Sequence, residues 1–282
     1  MVTLRDTLIN MRRRLDPFFD RREREAVILL IFSYLKQWSR VDLIINEDKE
    51  ISDYTQQQIS SIVDRLVLGE PIQYITGEAR FHGLDFHVEP GVLIPRPETE
   101  ELVDWILEDY DSPDLRILDV GTGSGCIAIA LARALPFPQI SALDISQQAI
   151  CVARRNAEAL GVKVSFIGSD MYSWKAARAS LDIVVSNPPY IAPDEIPEME
   201  VRVKEYEPGV ALFVGQDDPI KPYRRLEDIA GEALVSGGRL YMELNPRFAA
   251  EVAALFTPGR WSDVEIRRDS YGKERMLRVT RL

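Results

Sequence analysis

The fold of this chain is indicated by residues 117–125, which read Ile117-Leu118-Asp119-Val120-Gly121-Thr122-Gly123-Ser124-Gly125. The first four residues form a predicted strand, the glycines form a turn, and the apolar run at 127–135 predicts a helix. Strand and helix patterns continue to alternate downstream, which is typical of a doubly wound, mostly parallel α/β sheet. Six further strands are predicted at residues 140–143, 164–167, 181–185, 238–244, 264–267 and 276–279.

The connection between the last two predicted strands is short, with only Ser270-Tyr271-Gly272-Lys273 and their neighbours between them. A parallel pair needs a crossover of a dozen or more residues, so this final pair is predicted to be antiparallel. The sequence therefore predicts a Rossmann-like, seven-stranded α/β sheet whose last strand is antiparallel.

The glycine turn lets a ligand approach the backbone closely. A dinucleotide fingerprint needs its third glycine where this chain has Cys126, and no Gly-Lys-Ser/Thr follows as in a phosphate-binding loop. A ligand without phosphate therefore fits better. Asp144 ends the second strand, where a carboxylate can bind ribose hydroxyls. Asp170 follows the third strand and can accept a hydrogen bond from an adenine amino group, while Met171 can pack on the ring.

A nucleoside that carries an amino acid and no phosphate is S-adenosylmethionine. Asp119, beneath the turn, can face the ammonium group of such a ligand or simply hold the loop. We therefore predict a class I S-adenosylmethionine-dependent methyltransferase fold. The predicted cofactor-binding residues are Asp119, Gly121, Thr122, Gly123, Ser124, Gly125, Asp144, Asp170, Met171 and Asn187.

A second motif, Ser186-Asn187-Pro188-Pro189-Tyr190, follows the predicted strand at 181–185. The two prolines stiffen the turn, and Asn187 is biased toward an extended backbone. The Asn187 side-chain oxygen and the Pro188 carbonyl can each accept one N–H of a planar NH2 group, with Tyr190 against its flat face. Asn187, Pro188, Pro189 and Tyr190 are thus the predicted catalytic residues. The alternative is an ordinary strand-ending turn, since Asn and Pro are common turn residues.

The N-terminal part of the chain has a different pattern. Apolar residues recur at helical spacing over residues 3–75, which predicts a small helical bundle without a catalytic constellation. Residues 79–94 change to strand spacing around Glu89-Pro90-Gly91, which predicts a β-hairpin with a Pro-Gly turn. We therefore predict a bundle at 1–78 for substrate recognition, a hairpin connector at 79–96 and a methyltransferase domain at 97–282.

Charge and cysteine content exclude several classes of function. The net charge is −11, of which the first 80 residues contribute −1 and the rest −10, so a large phosphate-tracking surface is not expected. Cys126 and Cys151 lack metal-site spacing, and His82 and His87 are expected to be structural. No leader or membrane-spanning apolar run is recognisable, so a cytoplasmic enzyme is expected, without a metal and without a membrane partner.

Over nearly its whole length the chain resembles the protein-(glutamine-N5) methyltransferases of peptide chain release factors, the PrmC/HemK family. The resemblance rests on the helical N-terminal region and on four motifs. These are Gln73-Tyr74-Ile75-Thr76-Gly77, Phe81-His82-Gly83-Leu84-Asp85-Phe86, Leu93-Ile94-Pro95-Arg96-Pro97-Glu98-Thr99-Glu100 and Asn187-Pro188-Pro189-Tyr190-Ile191, together with the glycine turn.

The resemblance implies a function for each part. The turn at 121–125, Asp144 and the position after Asp170 would contact S-adenosylmethionine. The motif at 187–190 would hold the glutamine of the release factors' Gly-Gly-Gln loop, and the N-terminal bundle would help to dock the release factor. The expected protein partner is therefore a release factor, and the expected state is a monomer.

Two alternatives remain open. Adenine-N6 DNA and guanine-N2 RNA methyltransferases share the Asn-Pro-Pro-Tyr motif, so a nucleic-acid substrate is one of them. The acidic catalytic half and the absence of a basic, aromatic-rich recognition domain count against it. The other is a cofactor-binding protein without catalysis, although the glycine turn and the motif at 187–190 both look intact.

Overall fold

The computed structural model describes residues 2–215 and 217–282. It divides into two compact units: the helical unit, Met1–Gly77 with Glu200–Tyr206, and the sheet unit, Glu78–Met199 with Glu207–Leu282. The helices are α1 Leu4–Leu15, α2 Arg21–Lys36, α3 Arg40–Ile45, α4 Asp53–Val67, α5 Ile72–Thr76, α6 Pro97–Asp109, α7 Cys126–Ala134, α8 Gln147–Ala159, α9 Val201–Tyr206, α10 Gly209–Leu212, α11 Lys221–Ala233 and α12 Ala249–Ala253. The strands are β1 Glu78–Phe81, β2 Leu84–His87, β3 Arg116–Val120, β4 Gln139–Asp144, β5 Ser165–Gly168, β6 Leu181–Ser186, β7 Leu234–Glu243, β8 Trp261–Arg268 and β9 Glu274–Arg281. Short 3₁₀ helices lie at Pro193–Glu198 and Pro246–Phe248.

The helical unit is built around the apolar faces of α1, α2 and α4. Helix α1 begins with a capping box in which Thr3 and Asp6 satisfy each other's backbone N–H groups. Helix α2 begins at Asp20, whose carboxylate accepts from the Glu23 N–H at 2.8 Å. The buried side chains of this core include Leu4, Leu8, Leu15, Ile28, Ile31, Phe32, Ile59, Val63 and Leu66.

Helix α9 also belongs to the helical unit, although it lies more than 120 residues downstream of α5 in the chain. The Arg202 guanidinium donates to the Glu23 carboxylate at 2.6 Å and lies 4.6 Å from the centroid of the Phe19 ring. The Tyr206 hydroxyl donates to the Leu68 carbonyl at 3.0 Å. The segment between β6 and β7 therefore supplies one helix to the helical unit.

The hairpin at the start of the sheet unit has a different turn from the one expected. Strands β1 and β2 pair antiparallel with Phe81 opposite Leu84, so the turn is His82-Gly83 and not Glu89-Pro90-Gly91. Both turn residues have positive φ, +48° and +74°, which suits a two-residue turn that matches the twist of its strands. Residues 89–91 do form a turn, closed by a Val92 N–H to Glu89 carbonyl bond, but no strand follows it.

The main sheet has seven strands in the order β5-β4-β3-β6-β7-β9-β8. Strands β3 to β7 pair in parallel, and β9 runs antiparallel to both of its neighbours. This confirms the sequence-based prediction of a doubly wound sheet with an antiparallel last strand. Apolar clusters cover both faces, one formed with α6, α7 and α8 and the other with α11 and α12, which explains why the centre of β6, residues 183–185, is apolar on both faces.

No helix in the described part of the chain is long and apolar enough to cross a membrane.

Candidate active site

The strand order reverses between β3 and β6, and ligands bind at such a switch point in open α/β sheets. Val120 pairs with both Leu143 and Ser186, so the carboxyl ends of β4, β3 and β6 are neighbours. A cavity of about 500 Å³ opens there, entirely within the sheet unit. Its lining includes Gly91, Leu93, Pro95, Arg96, Thr99, Gly121, Thr122, Gly123, Ser124, Asp144, Ile145, Asp170, Met171, Tyr172, Asn187, Pro189, Pro208, Val210, Phe213 and Lys221.

The glycine turn forms one wall of this cavity. The N–H groups of Gly121 and Thr122 both donate to the Leu143 carbonyl, at 2.8 and 3.0 Å, which ties the turn to β4. Gly121 and Gly123 have φ values of +75° and +56°, which glycine adopts without strain. A Cβ at Gly123 would meet no atom within 4 Å, so the backbone there faces open space.

Gly125 has a different role from the other two glycines, because it packs against helices. A Cβ at this position would lie 3.0 Å from Ile129 Cδ1 and 3.1 Å from Ala153 Cβ. Gly125 therefore permits α7 and α8 to pack closely, and it is not among the described residues that line the cavity. Gly125 was grouped with the predicted cofactor-binding residues, because the spacing of the glycines does not distinguish a packing role from a ligand contact.

Two of the predicted carboxylates differ in position. Asp144 lines the cavity, and its carboxylate accepts hydrogen bonds from the Gly123 and Ser146 N–H groups, each at 2.8 Å. Burial raises the pKa of Asp144, although these hydrogen bonds act to lower it. Asp119 is fully buried beneath the turn and accepts from the Thr122 hydroxyl at 2.6 Å. Burial raises the pKa of Asp119 to about 7. Asp144 is thus placed to contact a ligand, whereas Asp119 holds the turn.

Asp170, Met171 and Tyr172, which follow β5, also line the cavity. The Asp170 carboxylate accepts the Tyr172 N–H at 2.9 Å, and the Met171 carbonyl accepts from Arg225 Nε at 2.7 Å. These bonds fix the backbone after β5. The predicted packing of an adenine ring on the Met171 side chain is compatible with the position of Met171 in the cavity lining.

Asn187 and Pro189 line the cavity, whereas Pro188 and Tyr190 are not among its described lining residues. Asn187 Nδ2 donates to the Thr99 hydroxyl at 3.2 Å. Tyr190 packs against the apolar cluster of α11 and α12 instead, and its carbonyl accepts from Asn245 Nδ2 at 2.9 Å. The two prolines and this anchor hold the turn in place around Asn187.

Several residues that support the cavity were not assigned a role from the sequence. Arg96 lines it and donates to Glu207 at 2.6 Å, and the Ile94 N–H also reaches the Glu207 carboxylate, at 3.4 Å. Thr99 donates to Glu243, which is buried in β7. The stretch at 93–100 was distinctive in the sequence, but its partners Glu207 and Glu243 lie more than 100 residues away in the chain. Only the fold shows what it contacts.

No group of three or more His, Cys, Asp or Glu residues within 2–215 and 217–282 is arranged to hold a metal ion.

Family models match two parts of the chain. The model described as Methyltransferase small domain matches residues 99–202, and the model described as PrmC N-terminal domain matches residues 7–77. The first covers the part of the cavity lining between Thr99 and Pro189, with the motif at 187–190, and the second covers most of the helical unit.

Relatives match over almost the full length. A protein named release factor glutamine methyltransferase from Bacteroides thetaiotaomicron is 41% identical over 273 residues, 96% of this chain and 98% of its own length. Proteins of the same name from Flavobacterium psychrophilum and Lactococcus lactis are 38% and 42% identical, covering 94% and 82% of this chain and 94% and 85% of their own. These relatives do not favour the nucleic-acid alternative.

Solved structures share the fold. A methyltransferase from Pyrococcus furiosus has a TM-score of 0.52 at 17% identity, covering 79% of this chain and 98% of its own. The 16S rRNA N2 G1207 methyltransferase of Thermus thermophilus, solved with AdoMet and guanosine, has a TM-score of 0.50 at 19% identity, covering 73% and 50%. The fold is therefore that of a methyltransferase. Because a protein named release factor glutamine methyltransferase is 41% identical over 96% of this chain, and both family models match in chain order, the chain belongs to the release factor glutamine methyltransferase family.

Proposed function

We propose that this protein transfers a methyl group from S-adenosylmethionine to the side-chain amide nitrogen, N5, of the glutamine in the Gly-Gly-Gln motif of peptide chain release factors. One observation carries the proposal. The Asn187 amide lies on the same cavity as the glycine turn and Asp144, so an amide acceptor and a cofactor site share one space. Membership of the family supports the choice of substrate.

The residues present fit S-adenosylmethionine. The cavity is within the roughly 300–1,000 Å³ range of small-molecule sites. Gly123 offers open space at its α-carbon, Asp144 presents a carboxylate, and Asp170 and Met171 line the same cavity. We assign the backbone at 121–124 to the amino acid end, Asp144 to the ribose hydroxyls and residues 170–171 to the adenine. When bound, the cofactor supplies an activated methyl group.

The protein prepares the amide nitrogen for this reaction. An amide nitrogen is a weak nucleophile because its lone pair is delocalised into the carbonyl. Asn187 Oδ1 and the Pro188 carbonyl accept its two N–H groups and favour a pyramidal nitrogen, whose lone pair is free. Both hydrogen bonds strengthen as the nitrogen gains positive charge, so they stabilise the transition state more than the bound substrate. The proton then leaves to water.

The helical unit is proposed to dock the release factor. Its short helix α3 exposes Val41, Ile44 and Ile45, each more than 60% exposed, on a unit that carries no part of the cavity. Exposed apolar side chains grouped in this way are typical of protein contact surfaces. We further propose that the enzyme acts as a monomer in the cytoplasm, where release factors meet the ribosome.

Mass spectrometry of a purified release factor, after incubation with this protein and S-adenosylmethionine, tests the proposal directly. We expect a gain of one methyl group on the glutamine of the Gly-Gly-Gln motif. A release factor with that glutamine replaced serves as the control and should gain none. No gain on the native factor, with cofactor binding confirmed by calorimetry, would contradict the proposal and direct the same assay to adenine and guanine substrates.

A further inference from the structure

A buried chain of hydrogen bonds runs from the motif at 187–190 into the sheet. Asn187 Nδ2 donates to Thr99 Oγ1 at 3.2 Å, and Thr99 Oγ1 in turn donates to the Glu243 carboxylate. Thr99 is 2% exposed and Glu243 is 1% exposed, so water does not compete for these bonds. Thr99 lines the cavity, whereas Glu243 is behind it at the end of β7.

The direction of each bond follows from the groups involved. An ionised carboxylate only accepts, so it takes the single proton of the Thr99 hydroxyl. The hydroxyl oxygen is then left as an acceptor for the Asn187 NH2 group. Because the amide has one donor end and one acceptor end, turning Nδ2 to Thr99 leaves Oδ1 for the cavity.

We propose that Thr99 and Glu243 are positioning residues, which orient the Asn187 side chain so that Oδ1, and not Nδ2, meets the substrate amide. This inference rests on the proposed function, because it assumes that the substrate presents an NH2 group. With the Asn187 amide turned over, two NH2 groups would face each other, and the acceptor that the reaction needs would be lost. The stretch at 93–100 thereby gains a chemical role through Thr99.

The surroundings of Glu243 act in both directions on its ionisation. Arg275 on β9 and Arg96 before α6 favour the ionised form, while Glu98 opposes it; the hydroxyls of Tyr190 and Tyr223 also lie in its field. Burial raises the pKa of Glu243 to about 7. A buried carboxylate makes the fold less stable than a well-packed apolar residue would, so its presence here favours a role that an apolar residue could not perform. A structural role, in which Thr99 merely ties α6 to β7, is the competing explanation.

Substitution of Thr99 separates the two explanations. Thr99→Val keeps the shape and removes the hydroxyl, and Thr99→Ser restores the hydroxyl without the methyl group. We expect Thr99→Val to lower kcat by about 10- to 100-fold, the size of effect seen when a reacting group loses its alignment. The Kd for S-adenosylmethionine should change less than threefold, and Thr99→Ser should recover most of kcat. Thr280→Val is the matched control, because the Thr280 hydroxyl is buried without a hydrogen-bond partner in the described structure.

A pH profile gives a readout that a structural tie would not move. In the native enzyme kcat should rise with pH as Glu243 ionises, near pH 7. In Glu243→Gln this rise of kcat should be absent. Thr99→Val with native kcat, or Thr99→Ser as poor as Thr99→Val, would overturn the proposal.

The orientation can also be measured without turnover. In ¹⁵N NMR spectra, hydrogen exchange of the Asn187 side-chain NH2 should be slow in the native protein and faster in Thr99→Val, but unchanged in Thr280→Val. Equal exchange in all three would refute the orienting role. If the native protein methylates no release factor while this difference is present, the proposed function fails and the orienting role stands.

Discussion

At the scale of single residues, Asn187 is the side chain on which the proposed chemistry depends most. It lies on the cavity wall beside the glycine turn, and Thr99 fixes its amide. We expect Asn187→Ala to lower kcat for release factor methylation by about 10²–10³-fold, because an acceptor aimed at the transition state is lost. Calorimetry should show cofactor binding within threefold of native. Near-normal turnover in this variant would contradict the mechanism.

Asp144 is the residue expected to decide cofactor affinity. Its carboxylate is partly buried on the cavity wall and is held by two backbone N–H groups. Hydrogen bonds to a charged group contribute about 1.5–3 kcal/mol, so Asp144→Asn should weaken S-adenosylmethionine binding by roughly 10- to 100-fold. The measurement is the Kd by calorimetry, with Thr280→Val as the control. An unchanged Kd would place the ribose elsewhere.

Glu243 links stability to pH. Its pKa is raised from 4.5 in the unfolded chain to about 7 by burial, so the folded protein holds its proton more tightly. The stabilisation is complete below pH 4.5 and is lost as pH rises to about 7. Glu243→Gln should therefore raise the free energy of unfolding at pH 8 by up to about 3 kcal/mol relative to native.

Urea denaturation at several pH values measures this effect. We expect the free energy of unfolding to depend less on pH in Glu243→Gln than in the native protein. An identical pH dependence would show that the native carboxylate does not titrate in this range. If the orienting role of Glu243 holds, ionisation favours activity and disfavours stability, so the native residue would give up stability for turnover.

At the scale of elements, the turn between β3 and α7 combines two features: Gly121 and Gly123 line the cavity, and Gly125 packs against α7 and α8. Gly123→Ala should weaken cofactor binding, because its Cβ would project into open space at the cavity. Gly125→Ala should instead lower stability, since its Cβ would crowd Ile129 and Ala153. Positive φ makes each alanine unfavourable by about 1–3 kcal/mol.

The comparison between the two variants is the test of this division. Gly123→Ala should have the higher Kd for S-adenosylmethionine, and Gly125→Ala should have the lower Tm. The opposite order in both measurements would exchange the roles given to these glycines.

The elements also show which features the sequence could predict. Buried parallel strands such as β6 were predicted because both faces of the sheet are covered, so consecutive central residues such as Ile183, Val184 and Val185 are apolar. The hairpin turn was predicted at Glu89-Pro90-Gly91, because these residues have the composition of a turn. The observed turn, His82-Gly83, was missed because histidine rarely adopts a positive φ, here +48°. The Thr99–Glu243 bond could not be predicted, since it joins residues that are 144 positions apart and meet only in the folded sheet.

At the scale of the whole molecule, removal of residues 2–77 should leave a sheet unit that binds S-adenosylmethionine. All described cavity-lining residues belong to that unit. We expect the truncated protein to have native-like cofactor Kd and a much lower kcat/KM on intact release factor. A short Gly-Gly-Gln peptide should be methylated equally by both forms. Full activity on the intact factor would show that the helical unit does not recognise it.

Helix α9 gives this architecture a consequence for how such enzymes can be recombined. Because residues 200–206 complete the helical unit, the chain passes from one unit to the other three times and not once. A chimera that exchanges only residues 2–77 with a relative would pair a foreign bundle with the native Arg202 and Tyr206. For a helical unit that docks the release factor as proposed, inheritance of its substrate preference requires two separated stretches of the gene to be transferred together, because a crossover between them would separate the bundle from its own α9.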